Sequence, residues 1–274
     1  MNLKKYNIVL IFSLYSVLVF PQKQPLTTGK ATLIELGRTI TEAGTDSLKI
    51  VQNVKFSNEL LKLLNQKKSY KLNFEDIKQL KVLQPKNRKF KIFTWFLDYK
   101  DGTYEYFGII QQCKKNGKKC KIYQLNTVKN QEKTLENQNL QYSQWYGCIY
   151  YDIIPIEINK TTYYTLLGWD GNNNYTTKKI IDILKISKKE APSFGADLFN
   201  NQQQRVIIEY SSKYSISLQY DDNLEYIVFD HLEPIDGLST GNFELYAPNL
   251  SYDIFKKTNT GWKLEQNLYL NNQK

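Results

Sequence analysis

The spacing of apolar residues changes period once along this chain. Between residues 32 and 43, Leu33, Leu36 and Ile40 recur at helical spacing. Gly44 interrupts that run, and Thr45 or Asp46 supplies the N-cap of a second helix reaching about residue 65. Its apolar side is read through Val51, Val54, Leu61 and Leu64, with Asn58 breaking the stripe. A short helical turn is expected over 75–80.

Beyond residue 81, Gly, Asn and Pro punctuate runs of about ten residues dense in Tyr, Phe, Ile and Trp, the pattern of antiparallel strands. Strands are expected at 89–99, 103–113, 120–125, 145–154, 162–169 and 177–186. Others follow at 205–211, 215–221, 225–230, 252–257 and 262–270. The polar stretch 126–143 reads as a long surface loop. The fold class is therefore mainly β: an antiparallel sandwich or large barrel with N-terminal helices packed on it, or a propeller-like alternative. TYEYFG (103–108) and TYYTLLG (162–168) are similar enough to suggest an echo of one hairpin or blade unit.

Two turns fix expected registers. Asp101-Gly102, read as a two-residue turn, places Trp95 opposite Gly108, Leu97 opposite Tyr106 and Tyr99 opposite Tyr104, with Phe96 facing Phe107 and Thr94 facing Ile109. The indole of Trp95 then covers a cross-strand glycine, and both faces are apolar, as in a strand covered on two sides. In CKKNGKKC (113–120), Asn116-Gly117 is a type I′ signal that sets Cys113 directly opposite Cys120. That pairing predicts a Cys113–Cys120 disulfide and leaves Cys148, alternating with Tyr146 and Tyr150, as a buried free thiol.

The N-terminus adds a compartment. Lys4 and Lys5 precede the uncharged residues 8–20, a segment shorter than the roughly 20 residues of a membrane span. It predicts a leader over residues 1–21, an exported chain in periplasm or medium, and no later transmembrane span. The expected organisation is 1–21 leader, 22–80 helical segment and 81–274 β domain. An oxidising compartment favours the disulfide.

The formal charge is +10, and about +8 without the leader. The positive charge is almost all lysine, with Arg38, Arg88 and Arg205 the only arginines. Flat guanidinium forks that read bases and phosphates are scarce, so specific nucleic-acid binding is not expected. A solvated surface favouring an anionic glycan or the cell envelope is.

Candidate chemistry is thin. Asp170, Asn172 and Asn174 alternate like the first ligands of a calcium loop. Tyr175 then occupies the glycine position and Ile181 the bidentate-carboxylate position, so GNNN reads as a chain reversal. His231 is the only histidine, which removes multi-histidine metal sites; Asp230, His231 and Glu233 could form an acid–base cluster at a strand end, where Pro234 stops the ladder. Asp98, Asp152, Asp230 and Asp253 fall at strand ends among tyrosines, the basis of an alternative reading as a glycan-active hydrolase. No Gly-rich phosphate loop, CxxC pair or zinc signature occurs, so no cofactor is expected. Weak binding candidates are Asp170, Asp230 and His231.

YYTLLGWDGN, KKIIDIL, RVIIEYS, IVFDHLEP and SYD, following a leader, resemble a group of exported bacterial proteins of unassigned activity. The resemblance runs from about Trp95 to Trp262. It implies export and one β-rich domain, and it carries over no catalytic or binding residue. In YAPNLSYD (246–253), Ala247 and Asn249 stand where that group carries glycine and aspartate. Together these features predict an exported binding or envelope-associated protein.

Overall fold

The computed structural model describes residues 25–114, 119–128, 133–199 and 203–269. The expected leader and the Asn116-Gly117 turn lie outside these residues. Among the described residues two α-helices, α1 (Leu26–Thr41) and α2 (Asp46–Leu64), precede fourteen strands. Thr45 caps α2, its Oγ1 accepting from the amide of Leu48 at 3.3 Å. Gly29 and Gly37 let α1 lie close, since a Cβ there would meet Leu63 at 3.0 Å and Gln79 at 3.2 Å.

The strands form three antiparallel sheets. The first is a meander of β1 (Lys81–Leu83), β2 (Phe90–Asp98), β3 (Tyr104–Cys113) and β4 (Cys120–Leu125). The second joins β6 (Ile149–Ile158), β7 (Thr161–Asp170), β8 (Thr176–Lys185) and β10 (Arg205–Ser211), with short β5 (Leu140–Gln141) and β9 (Ser193–Phe194). The third is a meander of β11 (Leu218–Asp221), β12 (Tyr226–Pro234), β13 (Tyr246–Thr258) and β14 (Gly261–Leu268).

Three apolar clusters stack these elements in layers. Phe93, Trp95, Leu97 and Ile109 face the helices, against Leu33, Phe56, Leu60 and Leu63. The opposite face of the first sheet, with Ile92 and Ile110, packs on Leu166, Ile180 and Leu184 of the second. Leu167, Ile181 and Ile183 meet Ile227, Phe229, Phe255 and Trp262 of the third. The second sheet is covered on both sides, so residues 180–184 of β8 are all buried, Asp182 among them. The stack is sandwich-like, and no closed barrel forms among the described residues. TYEYFG and TYYTLLG lie in β3 and β7, each the second strand of its hairpin.

Several expectations shift. The apolar side of α2 is Asn53, Phe56, Leu60, Leu63 and Leu64, while Val51 and Val54 are exposed. The deciding contact is polar: buried Asn53 receives the indole N–H of Trp95, so the stripe includes an amide. Residues 75–80 form two successive turns, closed by Ile77 N–H to Phe74 O and Leu80 N–H to Ile77 O, in place of a helix.

The β2–β3 register is one residue away from expectation, with Trp95 opposite Phe107 and Thr94 opposite Gly108. Asp98 and Tyr104 close the ladder, and the amide of Gly102 bonds Tyr99 O at 3.0 Å. Gly102 alone in this loop has positive φ, 85°, so the connection is a three-residue loop ending in a left-handed glycine. The ring over Gly108 is Trp145, 3.2 Å from where a Cβ would sit. Trp95 instead stacks on Phe107 at 5.6 Å.

The strand expected at 145–154 is β6, displaced toward the C-terminus. Gly147, with φ 90°, ends the preceding segment, and Pro155 is tolerated because β6 pairs only with β7 and is an edge strand. The expected loop 126–143 holds the 3₁₀ turn Lys133–Asn137 and the two-residue β5, too short to show a period. β13 starts at Tyr246 rather than near residue 252, with register shifts that accommodate Pro248 and Leu250 (φ 73°).

Candidate functional site

The expected candidates do not meet in one place. Asp170 ends β7 and is 2% exposed. Its carboxylate accepts from the Tyr106 hydroxyl at 2.8 Å, the Tyr146 hydroxyl at 3.1 Å and the Asn172 amide at 2.8 Å. Burial pushes its pKa up, opposed by those donors and by Lys178. Beyond it, Asn172 takes positive φ, 55°, and Asn173 Oδ1 accepts from Tyr175 and Thr176. Asn174 reaches over the Gly102 turn to Asp101 O at 3.0 Å. GNNN reverses the chain and locks two hairpins together.

Asp230 and His231 separate. Asp230 accepts from the Ser217 amide at 2.6 Å. His231 Nδ1 lies 2.7 Å from Asp253 and its Nε2 3.5 Å from Glu233. Successive strand residues point to opposite faces, so His231 finds Asp253 on the neighbouring strand and Asp230 does not join it. Pro234 pairs with Tyr246, so β12 runs on to that proline. Asp98 pairs with Lys49, and Asp152 accepts its own neighbour's amide from Ile153. The four strand-end carboxylates are thus spread over all three sheets.

A different site is assembled where one end of the first sheet meets the loop after β8. It is an open groove of about 1950 Å³. The segment after α2 brings Lys71, β1 brings Lys81, and the turn before β2 brings Arg88 and Lys89. The β3–β4 hairpin contributes Lys114, Lys119 and Lys121 at its cross-linked end, and Lys188 closes the far wall. The floor is Lys91. Against these nine cations the described lining residues include one carboxylate, Glu75, which Asn73 already holds at 2.8 Å. The whole chain has 37 basic and 27 acidic residues, so the groove concentrates the imbalance rather than sharing it. Among the described residues, none of the nine is ion-paired.

Local structure places these groups. Arg88 has positive φ, 51°, in a turn closed by its amide to Pro85 O at 2.8 Å, and Tyr70 pins it by donating to Arg88 O at 2.8 Å. Cys113 and Cys120 are paired in register and joined by a disulfide, which braces the adjoining Lys114 and Lys119 at the groove. Gln112 donates to Ser187 O at 2.7 Å, tying the far wall to β3. Lys91 is 7% exposed, donates to Leu72 O at 2.8 Å, and lies 5.4 Å from the ring centres of both Tyr70 and Phe74. Burial, then Arg88, lowers its pKa.

Sequence reasoning missed this groove because its members are spread from residue 71 to 188. The available signal was lysine density at two turns, KNRKFK (86–91) and CKKNGKKC (113–120), which fold to the same end of one sheet. Comparison with protein-family models, with curated proteins and with solved structures finds no match for this chain.

Proposed function

We propose that this is an exported, non-catalytic binding protein whose cationic groove holds an acidic polysaccharide. The carrying observation is the groove's nine cations against one carboxylate. Such a concave, single-sign surface focuses field and attracts polyanions. Its concavity favours a chain over a flat bilayer, which would not reach the floor. Eight of the nine cations are lysines, point charges without the fork that reads bases, which favours an acidic glycan over a nucleic acid. Export is supported by the leader-like residues 1–21 and by the disulfide. No helix among the described residues is long and apolar enough to cross a membrane.

Binding of polygalacturonate, with neutral dextran as control, tests the reading. Affinity for the polyanion should fall as salt rises from about 50 to about 300 mM, while dextran is ignored. Lys89→Glu with Lys121→Glu should weaken binding by more than about tenfold. Equal affinity for dextran, or indifference to the double charge reversal, rejects the groove.

A further inference from the structure

We propose that Lys91 forms a discrete oxyanion subsite on the groove floor, taking one carboxylate or sulfate of the bound saccharide, while the rim lysines act diffusely. The inference rests on the reading of the groove as a polyanion site. It adds the point at which a single anionic group is fixed.

Most lining lysines stand in solvent, where an ammonium is cheaply hydrated and worth little to a particular geometry. Lys91 is different. Its residue is 7% exposed, and its one protein acceptor among the described residues is the neutral carbonyl of Leu72 at 2.8 Å. An ammonium carries three donors, so two remain for groups in the groove. Among the described residues no carboxylate is paired with it, and a buried cation without a counter-charge is a costly arrangement in an unliganded protein. An arriving oxyanion supplies both the missing charge and the missing acceptors, in a setting where charge-assisted hydrogen bonds are strong.

The surroundings restrict the pose. Tyr70 and Phe74 flank the ammonium at 5.4 Å, and Phe74 is itself held edge-on against Phe93 at 5.2 Å. Tyr70 is held by its bond to Arg88 O. The lysine head therefore sits between fixed rings, with apolar surface beside the charge for the carbon face of a sugar. The lowered pKa of Lys91 agrees with a cation that lacks its partner.

The competing role is mechanical: Lys91 fastening the 70–74 segment through Leu72 O. Wild type, Lys91→Met and Lys121→Gln separate the two. Thermal midpoint without ligand and affinity for a polygalacturonate oligomer are measured for each, with inorganic sulfate as competitor. Lys91→Met should keep or raise the midpoint, lose at least about tenfold in affinity and lose competition by sulfate. Lys121→Gln should lose only about two- to threefold and keep sulfate competition. Lys91→Met matching Lys121→Gln in affinity, or a lowered midpoint with affinity intact, overturns the subsite. Side-chain NMR of labelled lysines in the wild type covers a variant that does not fold. Sulfate should raise the pKa of the Lys91 ammonium, distinguished by Lys91→Arg from Lys179, which burial also depresses, and no response at Lys91 also overturns it. If the oligomer does not bind the wild type while sulfate still moves that resonance, the polysaccharide reading fails and the subsite stands.

Discussion

The indole N–H of Trp95 donates to Oδ1 of Asn53 at 2.7 Å, and both side chains are buried between α2 and the first sheet. This bond helps fix the rotation of α2, being a buried side-chain to side-chain hydrogen bond within a face of Phe56, Leu60 and Leu63. Gln111 Nε2, donating to Leu64 O at 3.0 Å, and the Lys49–Asp98 ion pair tie the same helix to the sheet. Asn53→Leu strands a buried donor. It should lower stability by about 1–3 kcal/mol, read by urea denaturation. Adding Trp95→Phe removes the orphaned N–H and should recover part of that loss, despite the smaller ring. A double variant as unstable as the sum of the singles shows that the hydrogen bond is not what orients the helix.

A second buried network lies in the middle sheet. Trp145 donates to the Tyr150 hydroxyl at 3.0 Å, Tyr150 to Asp182 at 2.9 Å, and Arg205 Nε lies 3.3 Å from Asp182. Arg205 and Asp182 are fully buried, and Arg205 also donates to the carbonyls of Leu135 and Gln138, which anchors the long 126–143 connection. Asp182→Ala leaves the buried guanidinium without its nearest carboxylate and should cost about 3–5 kcal/mol. Arg205→Met, which removes the other charge, leaves the carboxylate bonded to Tyr150 and to the Ile183 amide at 2.9 Å, and should cost less. Chemical denaturation of both variants gives the order, and the reverse order contradicts this account.

Legibility followed the physics of each element. β4 and β10 match their expected ranges because they are bounded by turn residues and packed on regular neighbours. The two helices were visible in the period, but the face of α2 was not, since one buried amide is satisfied by a tryptophan forty-two residues away. Asp101-Gly102 was recognisable as a turn, yet its loop length decided the register, and dipeptide chemistry does not encode that length. The polar chemistry that sequence could point to, Asp170, Asp230 and His231, lies in structural hydrogen bonds. The groove depends on which turns share an end of the stack, a tertiary fact that no local pattern carries.

The cysteines give a chemical test of the β3–β4 register. Cys113 and Cys120 are joined, and Cys148 is buried, its thiol pushed well up in pKa by burial and then by Asp182 and Asp170. Unreduced protein should show no fast-reacting thiol when native and one when denatured. Opening the short loop with Cys113→Ser and Cys120→Ser together should cost about 2–3 kcal/mol in the chain-entropy account. It should also weaken polygalacturonate binding, because Lys114 and Lys119 lose their brace. Three thiols on denaturation, or a peptide map that links Cys148, refutes the pairing.

Asp170 sets a pH dependence whose sign can be worked out. Burial raises its pKa in the folded state above the 3.8 taken for the free side chain, with the Asn172 amide, Tyr106, Lys178 and Tyr146 pulling the other way. Between those two values the folded state binds more protons than the unfolded one, so stability falls as pH rises. The contribution is full below 3.8 and is lost as pH climbs through the folded value. Asp170→Asn removes this titration. Its Oδ1 still accepts from Tyr106 and the Asn172 amide, and its amide donates to the Tyr146 oxygen. The stability of wild type minus that of the variant should therefore decrease as pH is raised from about 3 to about 7. Denaturation at a series of pH values measures that difference. An increase over the same range means that the two tyrosine donors outweigh burial and hold the carboxylate ionised.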